Sequence, residues 1–137
     1  MSNQKIYTAD KIFTGFEMLH HHALVTEHNI ITAILPDVEL GPETEKTHFN
    51  DAMIVPAFID LQIYGAYNRL LSVYPDAETV KCIYDYCKSG GAAFCMPTVA
   101  TQPYEVIFKC IDAVRTYQDQ GGEGVLGLHV EGPWINT

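Results

Sequence analysis

The stretch AAFCMPTVATQPYEVIFKCIDAVRTYQDQGGEGVLGLHVE, residues 92–131, predicts a strand, a helix and a second strand in that order. Its two largely apolar runs, residues 92–96 and 125–131, have the length of strands. Between them, apolar residues recur at helical spacing from near Thr101 to a Gly-Gly pair that ends the helix. Gly132-Pro133 breaks the chain after the second strand. The stretch therefore predicts one βαβ unit.

An earlier strand and helix precede this stretch. The strand covers residues 54–64, and the helix begins after the N-cap Asp76 and ends at Gly90-Gly91. Alternation gives this strand an apolar and a polar face. The apolar face holds Ile59, Leu61 and Ile63, and the polar face holds Asp60, Gln62 and Tyr64. Strands that alternate with helices predict right-handed βαβ units on a parallel sheet, so the predicted fold class is α/β.

Residues 1–53 differ from the rest, because short runs rich in β-branched residues replace the alternation of strands and helices. Residues 23–26 and 30–34 are such runs, and the intervening Glu27-His28-Asn29 predicts a hairpin. About three or four short strands are too few to bury two faces, so we expect partner strands from elsewhere. The sequence thus divides into a small β module, residues 1–53, and an α/β part, residues 54–137.

Composition argues against two kinds of partner. The chain has 17 acidic and 8 basic residues and a net charge of −9, which disfavours binding to nucleic acid or to an anionic membrane surface. No stretch approaches the roughly 20 apolar residues of a membrane span. The start, MSNQKIYTADK, lacks the apolar run of a secretion signal. We therefore expect a cytoplasmic protein.

Neither the cysteines nor the histidine run predicts a metal site. The cysteines match no Cys-x-x-Cys pattern and are expected to be free thiols in the core. Three consecutive histidines, residues 20–22, do not converge on one ion from a strand, because neighbouring side chains point to opposite faces. His28 and His48 lie in polar segments, where turns are expected, and receive no functional role.

The carboxyl ends of the predicted strands are where chemistry is expected, because active sites of open α/β sheets and barrels gather there. Alternation puts His129 and Glu131 on one face, with Gly127 leaving space beside them, while the aliphatic face meets the helices. An imidazole and a carboxylate that emerge together can bind a divalent metal. A packed, hydrogen-bonded His129 and an ion-paired Glu131 would give the same pattern, so the residues alone leave both interpretations open.

Gln62, Tyr64 and Thr98 lie at the same predicted edge of the sheet. Gln is a poor ligand for zinc and Tyr an uncommon one, so we expect a polar wall of the active site rather than metal coordination. The alternative is that Gln62 and Tyr64 fill and hydrogen-bond the interior. Asp60, deeper along its strand, is expected to be structural.

Two segments resemble a known family. VPAFIDLQ, residues 55–62, is similar to a strand of the N-acetylglucosamine-6-phosphate deacetylases, and GLHVEGPW, residues 127–134, is similar to their His-x-Glu-Gly-Pro signature. The similarity extends through MPT, residues 96–98. This family belongs to the metal-dependent amidohydrolase superfamily. The resemblance implies an incomplete (β/α)8 TIM-like barrel, represented by its first three strands, preceded by part of a small β-sandwich.

The resemblance also implies residue roles. Glu131 would bind the catalytic divalent metal, with zinc expected and iron, cobalt or manganese as alternatives. The family's other ligands, two histidines, and its catalytic aspartate would lie beyond Thr137, so no catalytic residue is expected within the chain. His129 would hydrogen-bond the site or orient Glu131. Tyr64 stands where the family often has Asn, or His in members with a second metal, which implies a single-metal site.

The implied reaction is hydrolysis of the acetamide of N-acetylglucosamine 6-phosphate to glucosamine 6-phosphate and acetate, a step of amino-sugar metabolism. A full-length parent, expected to be a homo-oligomer, would perform it, and the 137 residues alone are expected to be inactive. Two alternatives stay open. One is an amidohydrolase that acts on another acylated amino sugar or a cyclic amide, and the other is a non-catalytic α/β binding module.

Overall fold

The computed structural model describes residues 4–132 and 134. The chain divides into two compact units, residues 1–56 and residues 57–137. The first unit is a β-sheet, and the second combines a parallel sheet with two helices. Within the described residues, no helix is both long enough and apolar enough to span a membrane.

The first unit contains one mixed sheet of five strands. The strands are β1 (Gln4–Phe13), β2 (Met18–Leu19), β3 (His22–Glu27), β4 (Ile30–Pro36) and β5 (Thr47–Ile54), and a short 3-10 helix covers Asp37–Glu39. β1 pairs antiparallel with β2 and β3, β4 pairs with β3, and β5 pairs parallel with β1. The sheet is larger than the expected three or four short strands, since β1 alone covers 10 residues.

The predicted hairpin between β3 and β4 is confirmed. His28 and Asn29 join the two strands, with φ angles of 50° and 65°. Positive φ at both central residues is the geometry of a type I′ turn, whose twist matches that of antiparallel strands. His48, by contrast, lies in β5, where its Nδ1 is 2.9 Å from Thr8 Oγ1, so its predicted turn position is wrong.

Ile54 belongs to the first sheet rather than to the α/β part. It is the last residue of β5 and pairs with Ile12 of β1. Residues 55–57, which the structure describes, lie outside any strand, and the next strand begins at Phe58. The predicted strand over residues 54–64 is therefore wrong at its start, because Pro56 has no N–H for a ladder and separates two strands.

The second unit is built on three parallel strands. In chain order its elements are β6 (Phe58–Ile63), β7 (Gly65–Ala66), β8 (Arg69–Leu70), α1 (Ala77–Ser89), β9 (Ala92–Val99), α2 (Tyr104–Asp119) and β10 (His129–Val130). β9 lies between β6 and β10, and β7 and β8 form a separate antiparallel hairpin. The parallel pairing and the alternation with helices confirm the predicted α/β class.

The two helices differ in how well their starts were predictable. α1 begins after Asp76, whose Oδ1 accepts a hydrogen bond from Thr79 N at 2.7 Å, as the sequence predicts. α2 begins only at Tyr104, after the N-cap Pro103, rather than near Thr101. The residue before a proline is disfavoured in the helical conformation, which delays the start of the helix.

The core of the second unit includes residues from its sheet, both helices and the segment that precedes α1. Its fully buried side chains include Leu71, Val80, Ile83, Cys95, Val99 and Cys110. Cys87, Cys95 and Cys110 are buried free thiols, as the sequence predicts, whereas Cys82 is a free thiol that is only half-buried, so its predicted core position is wrong. Burial raises the pKa of the Cys95 thiol to about 12, so this thiol is protonated at neutral pH.

β9 is longer than the predicted strand over residues 92–96. It continues through Pro97 and Thr98 to Val99. Pro97 faces Ile63 of β6 at a register shift in the β6–β9 ladder. Because the ladder is irregular there, the missing N–H of Pro97 costs no regular hydrogen bond, and the strand continues.

The predicted strand over residues 125–131 is interrupted at Gly127, which has a φ of 156°. Regular pairing covers only β10, preceded by an isolated bridge between Val125 and Cys95. Val125 is buried and Leu126 is 52% exposed, whereas Leu128 packs on the core. The alternation predicted before Gly127 is therefore wrong, since the break shifts the register by one residue. The predicted stop at Pro133 lies outside the described residues.

Candidate functional site

Glu131, Gln62 and Tyr64 form one hydrogen-bonded cluster at the carboxyl end of the sheet. Gln62 Nε2 donates to Glu131 Oε2 at 3.2 Å and to Tyr64 Oη at 2.7 Å. Tyr64 Oη donates to the same Glu131 Oε2. Glu131 and Tyr64 are half-buried, and Gln62 is exposed. Side chains from the two outer strands of the sheet therefore meet across β9.

Backbone pairing positions both sides of this cluster. Gln62 lies in β6, and Tyr64 directly follows the last residue of that strand, so their side chains, two residues apart, reach the same side of the sheet. On the other side, Glu131 N donates to Val99 O at 2.9 Å, and Thr101 Oγ1 donates to Glu131 O at 3.2 Å. Glu131 is thus fixed immediately after β10, although it lies outside the strand itself.

His129 is committed to the backbone of β6. Its Nδ1 lies 2.8 Å from Leu61 O. A carbonyl oxygen only accepts, so Nδ1 carries the proton in this contact. The ring is half-buried and lies two residues before Glu131, without a hydrogen bond to it among the described contacts. His129 therefore braces the strands beside the cluster.

Thr98 is a buried connection between β6 and β9. Its side chain is 1% exposed. The hydroxyl accepts from Ile63 N at 3.0 Å and donates to Met96 O at 3.1 Å. Because the hydroxyl both accepts from and donates to backbone groups, it is not free to bind another polar group. Thr98 instead holds together the backbone of the strands beside the cluster.

The side chain of Asp60 forms a hydrogen bond with the backbone of its own strand, β6. Its Oδ1 accepts from Gln62 N at 3.0 Å, and its Oδ2 lies 3.9 Å from the Sγ of Cys87 on α1. These contacts agree with the structural role expected for Asp60.

The Tyr64 phenol is the group of the cluster whose ionisation is shifted. The hydrogen bond to Glu131 raises the pKa of Tyr64 above its ordinary value, and the hydrogen bond from Gln62 opposes this without cancelling it. The phenol is therefore protonated at neutral pH and acts as a donor. Glu131 is a carboxylate that accepts two hydrogen bonds through a single oxygen.

The donor set fits one ligand of a divalent metal and no more. Among residues 4–132 and 134, no group of three or more His, Cys, Asp or Glu side chains is arranged to hold a metal. The Oε1 of Glu131 accepts no hydrogen bond from the described residues, and carboxylate oxygens suit zinc and other divalent ions. Tyr64 directs its proton, and Gln62 its amide N–H groups, toward Glu131 and toward each other rather than toward a metal position.

Two features of the site were not predicted. One is Thr101, whose position after the end of β9 gave no signal for its bond to the Glu131 carbonyl. The other is the hairpin of β7 and β8, in which Tyr67 and Asn68 both have positive φ angles, 50° and 63°. Asn68 between two short runs is the signal that points to such a turn. The hairpin follows β6 directly and lines a cavity of about 670 Å³ with Gln62 and Tyr64.

Comparison with known proteins shows what the chain is similar to. A protein-family model described as the NagA composite domain matches residues 6–54. The N-acetylglucosamine-6-phosphate deacetylase of Haemophilus influenzae is 27% identical over 125 residues, covering 91% of this chain and 33% of the relative. The chain is a relative of the N-acetylglucosamine-6-phosphate deacetylases, and the resemblance predicted from its motifs is confirmed.

A second curated relative and a solved structure are similar over nearly the whole chain. The N-acetylgalactosamine-6-phosphate deacetylase of Shewanella sp. strain ANA-3 is 27% identical over 129 residues, covering 93% of this chain and 33% of that protein. The crystal structure of the Pasteurella multocida N-acetylglucosamine-6-phosphate deacetylase matches with a TM-score of 0.85 and 26% identity, over 98% of this chain and 35% of that one. The chain spans about a third of the length of the curated relatives it matches.

Proposed function

We propose that the full-length protein containing this chain hydrolyses the acetamide of N-acetylglucosamine 6-phosphate to glucosamine 6-phosphate and acetate, with the help of a divalent metal. The observation that carries this proposal is Glu131, held by Gln62 and Tyr64 at a strand end with one oxygen open, in a relative of deacetylases. The activity belongs to the whole protein, of which this chain matches about a third in its relatives.

The same proposal covers the architecture. Residues 57–137 would supply the first three strands of a TIM-like (β/α)8 barrel, and the first unit would supply part of a β-sandwich. Three parallel strands with connecting helices support this, as does the gathering of polar side chains at their carboxyl ends. Ile59 and Leu61, 53% and 59% exposed, would be covered by later segments of the parent.

Each residue of the cluster would have a distinct part in the reaction. Glu131 would bind the metal through Oε1, with zinc expected and iron, cobalt or manganese as alternatives. A divalent metal there supplies a nucleophile at neutral pH and polarises the amide carbonyl. Gln62 and Tyr64 orient Glu131, and His129 and Thr98 hold the strands that carry it. The proton of the nucleophile would pass to the leaving amine through an aspartate later in the parent.

The chain alone would not turn over substrate under this proposal. It contributes one metal ligand, whereas catalytic metal sites use several protein ligands and an open position. The remaining two histidines and the aspartate are those implied by the family resemblance. The homo-oligomeric state of the parent and its cytoplasmic location stay predictions.

A second substrate is favoured by a specific comparison. The Shewanella relative is named an N-acetylgalactosamine-6-phosphate deacetylase, and its identity to this chain equals that of the Haemophilus relative, 27%. The two sugars differ in the configuration of one hydroxyl. No described residue is assigned to recognise that hydroxyl. N-acetylgalactosamine 6-phosphate is therefore the competing substrate.

A substrate panel tests the proposal directly. Acetate release would be measured for the full-length protein with N-acetylglucosamine 6-phosphate, its galactosamine epimer and the two sugars without phosphate. We expect the highest kcat/KM for N-acetylglucosamine 6-phosphate. The value should fall by about 100-fold or more for the sugar without phosphate, because the groups that bind the phosphate would then have no partner. A preference for the galactosamine epimer would establish the second candidate. No acetate from any of the four would contradict deacetylation.

A further inference from the structure

We infer that Gln62 and Tyr64 form a clamp that fixes Glu131 with Oε1 as its single metal-binding oxygen. This inference rests on the proposed function, because it concerns how the chain would present Glu131 to a divalent metal. It assigns Gln62 and Tyr64 a positioning role, distinct from a polar wall that contacts the substrate.

The clamp is a closed set of hydrogen bonds with only one possible direction. A carboxylate only accepts and an amide nitrogen only donates, so the Tyr64 hydroxyl must accept from Gln62 and donate to Glu131. The two protons on Gln62 Nε2 serve Tyr64 Oη at 2.7 Å and Glu131 Oε2 at 3.2 Å. One proton from Gln62 and the hydroxyl proton of Tyr64 therefore end on the same carboxylate oxygen, Glu131 Oε2.

Both sides of the clamp are tied to the backbone. Tyr64 O accepts from Leu71 N at 2.9 Å, and Gln62 N donates to Asp60 Oδ1 at 3.0 Å. Glu131 is held through its own backbone by Val99 on one side and by Thr101 on the other. The carboxylate of Glu131 thus accepts from two donors, and its backbone is held by two more hydrogen bonds. These contacts restrict the rotation of the side chain.

The consequence concerns how many oxygens Glu131 gives to a metal. With Oε2 engaged by two donors, rotation to share both oxygens with one ion would break both hydrogen bonds. Oε1 stays free among the described contacts, so coordination through one oxygen needs no rearrangement. Groups that orient a metal ligand in this way are worth about 10- to 100-fold in metal affinity.

The test uses the full-length protein with zinc and with cobalt as probes. Tyr64→Phe keeps the ring and removes the proton donor to Glu131. We expect its zinc dissociation constant, measured by competition with a chromophoric chelator, to rise about 10- to 100-fold. The visible spectrum of the cobalt-loaded variant should also change, because a released carboxylate changes the geometry around the ion.

A matched control and a second variant separate the clamp from general damage. Tyr104→Phe changes an exposed tyrosine on α2 and should leave zinc affinity and the cobalt spectrum unchanged. Gln62→Met removes the exposed amide donor and should weaken zinc binding in the same direction as Tyr64→Phe. If Tyr64→Phe fails to fold, as judged by thermal melting, Gln62→Met decides the question.

The outcomes also distinguish the clamp from the proposed function. The clamp would be overturned if folded Tyr64→Phe kept the zinc affinity and the cobalt spectrum of the wild type. If Tyr64→Phe does not fold, the same result in Gln62→Met would overturn it. Full zinc retention in Glu131→Gln would instead overturn the metal-dependent function on which the clamp rests. Loss of zinc in Glu131→Gln with no effect of Tyr64→Phe would leave the function standing and remove the clamp.

Discussion

Thr98 shows how a single buried hydroxyl joins the backbone of two strands below the candidate site. It links Ile63 of β6 to Met96 of its own strand through one accepted and one donated hydrogen bond. The side chain is 1% exposed, so water does not replace a lost partner. We therefore expect Thr98 to help align β6 with β9, and with it to help place Gln62 next to Glu131.

Thr98→Val should destabilise the full-length protein by about 1–3 kcal/mol, because the shape is kept while Ile63 N and Met96 O lose their partner in a buried place. Equilibrium urea unfolding measures the change. Thr98→Ser keeps the hydroxyl and serves as the control, with a smaller loss expected. Equal stability of Thr98→Val and wild type would show that the backbone groups find other partners.

Part of the cluster was predictable from local rules. Alternation along β6 puts Gln62 and Tyr64 on one face, and the strand-end rule puts them at the same edge as Glu131. Their mutual hydrogen bonds were not predictable, because they depend on the register of β6 and β10 on either side of β9. The metal-ligand role of Glu131 stays a prediction that rests on the resemblance.

At the scale of elements, the start of α1 is held by three polar side chains. Asp76 accepts from Thr79 N at 2.7 Å and from Thr79 Oγ1 at 2.9 Å. Arg69, from β8, reaches the same carboxylate with contacts of 2.9 Å and 2.8 Å. The cap therefore also ties the unpredicted hairpin to the helix.

Asp76→Ala should lower the free energy of unfolding by about 1 kcal/mol, the usual cost of losing an N-cap side chain. Urea unfolding of the full-length protein measures the effect. The control is Asp85→Ala on the same helix, which removes an exposed pair with Lys81 and should cost about 0.5 kcal/mol or less. A larger effect at Asp85 than at Asp76 would contradict the role of the cap.

The cost of Asp76→Ala should depend on pH. Burial of Asp76 opposes its ionisation, but hydrogen bonds from Thr79 and Arg69 outweigh burial and hold the pKa of Asp76 below its ordinary value. A lowered pKa in the folded state gives stability that is complete above the ordinary value of about 3.9 and is lost as the pH falls through the folded value. The difference between wild type and variant should therefore be smaller at about pH 3 than at about pH 7.

Element boundaries show where sequence patterns lose information. The N-cap of α1 and the β3–β4 turn were predictable, because each depends on a few neighbouring residues. The ends of β9 and β10 were not, because Pro97 is tolerated at a register shift and Gly127 takes a positive φ that interrupts its strand. The first feature depends on the neighbouring strand, and the second on a backbone conformation that glycine permits but does not require.

At the scale of the whole molecule, two compact units divide after residue 56. The change of pattern near residue 53 was visible, since β-branched runs give way to strands that alternate with helices. The extent of β5 was not visible, because its aliphatic end merges in sequence with the start of β6. Composition could not distinguish these strands either, since both contain aliphatic residues.

The central claim is that Glu131 binds the metal on which deacetylation depends. The most direct measurement is the metal content of the full-length protein and of Glu131→Gln by elemental analysis, alongside acetate release from N-acetylglucosamine 6-phosphate. Glu105→Gln, an exposed glutamate on α2 paired with Lys109, is the control and should match wild type. We predict that Glu131→Gln loses both its metal and its deacetylase activity. Stoichiometric metal together with normal acetate release in Glu131→Gln would contradict the claim.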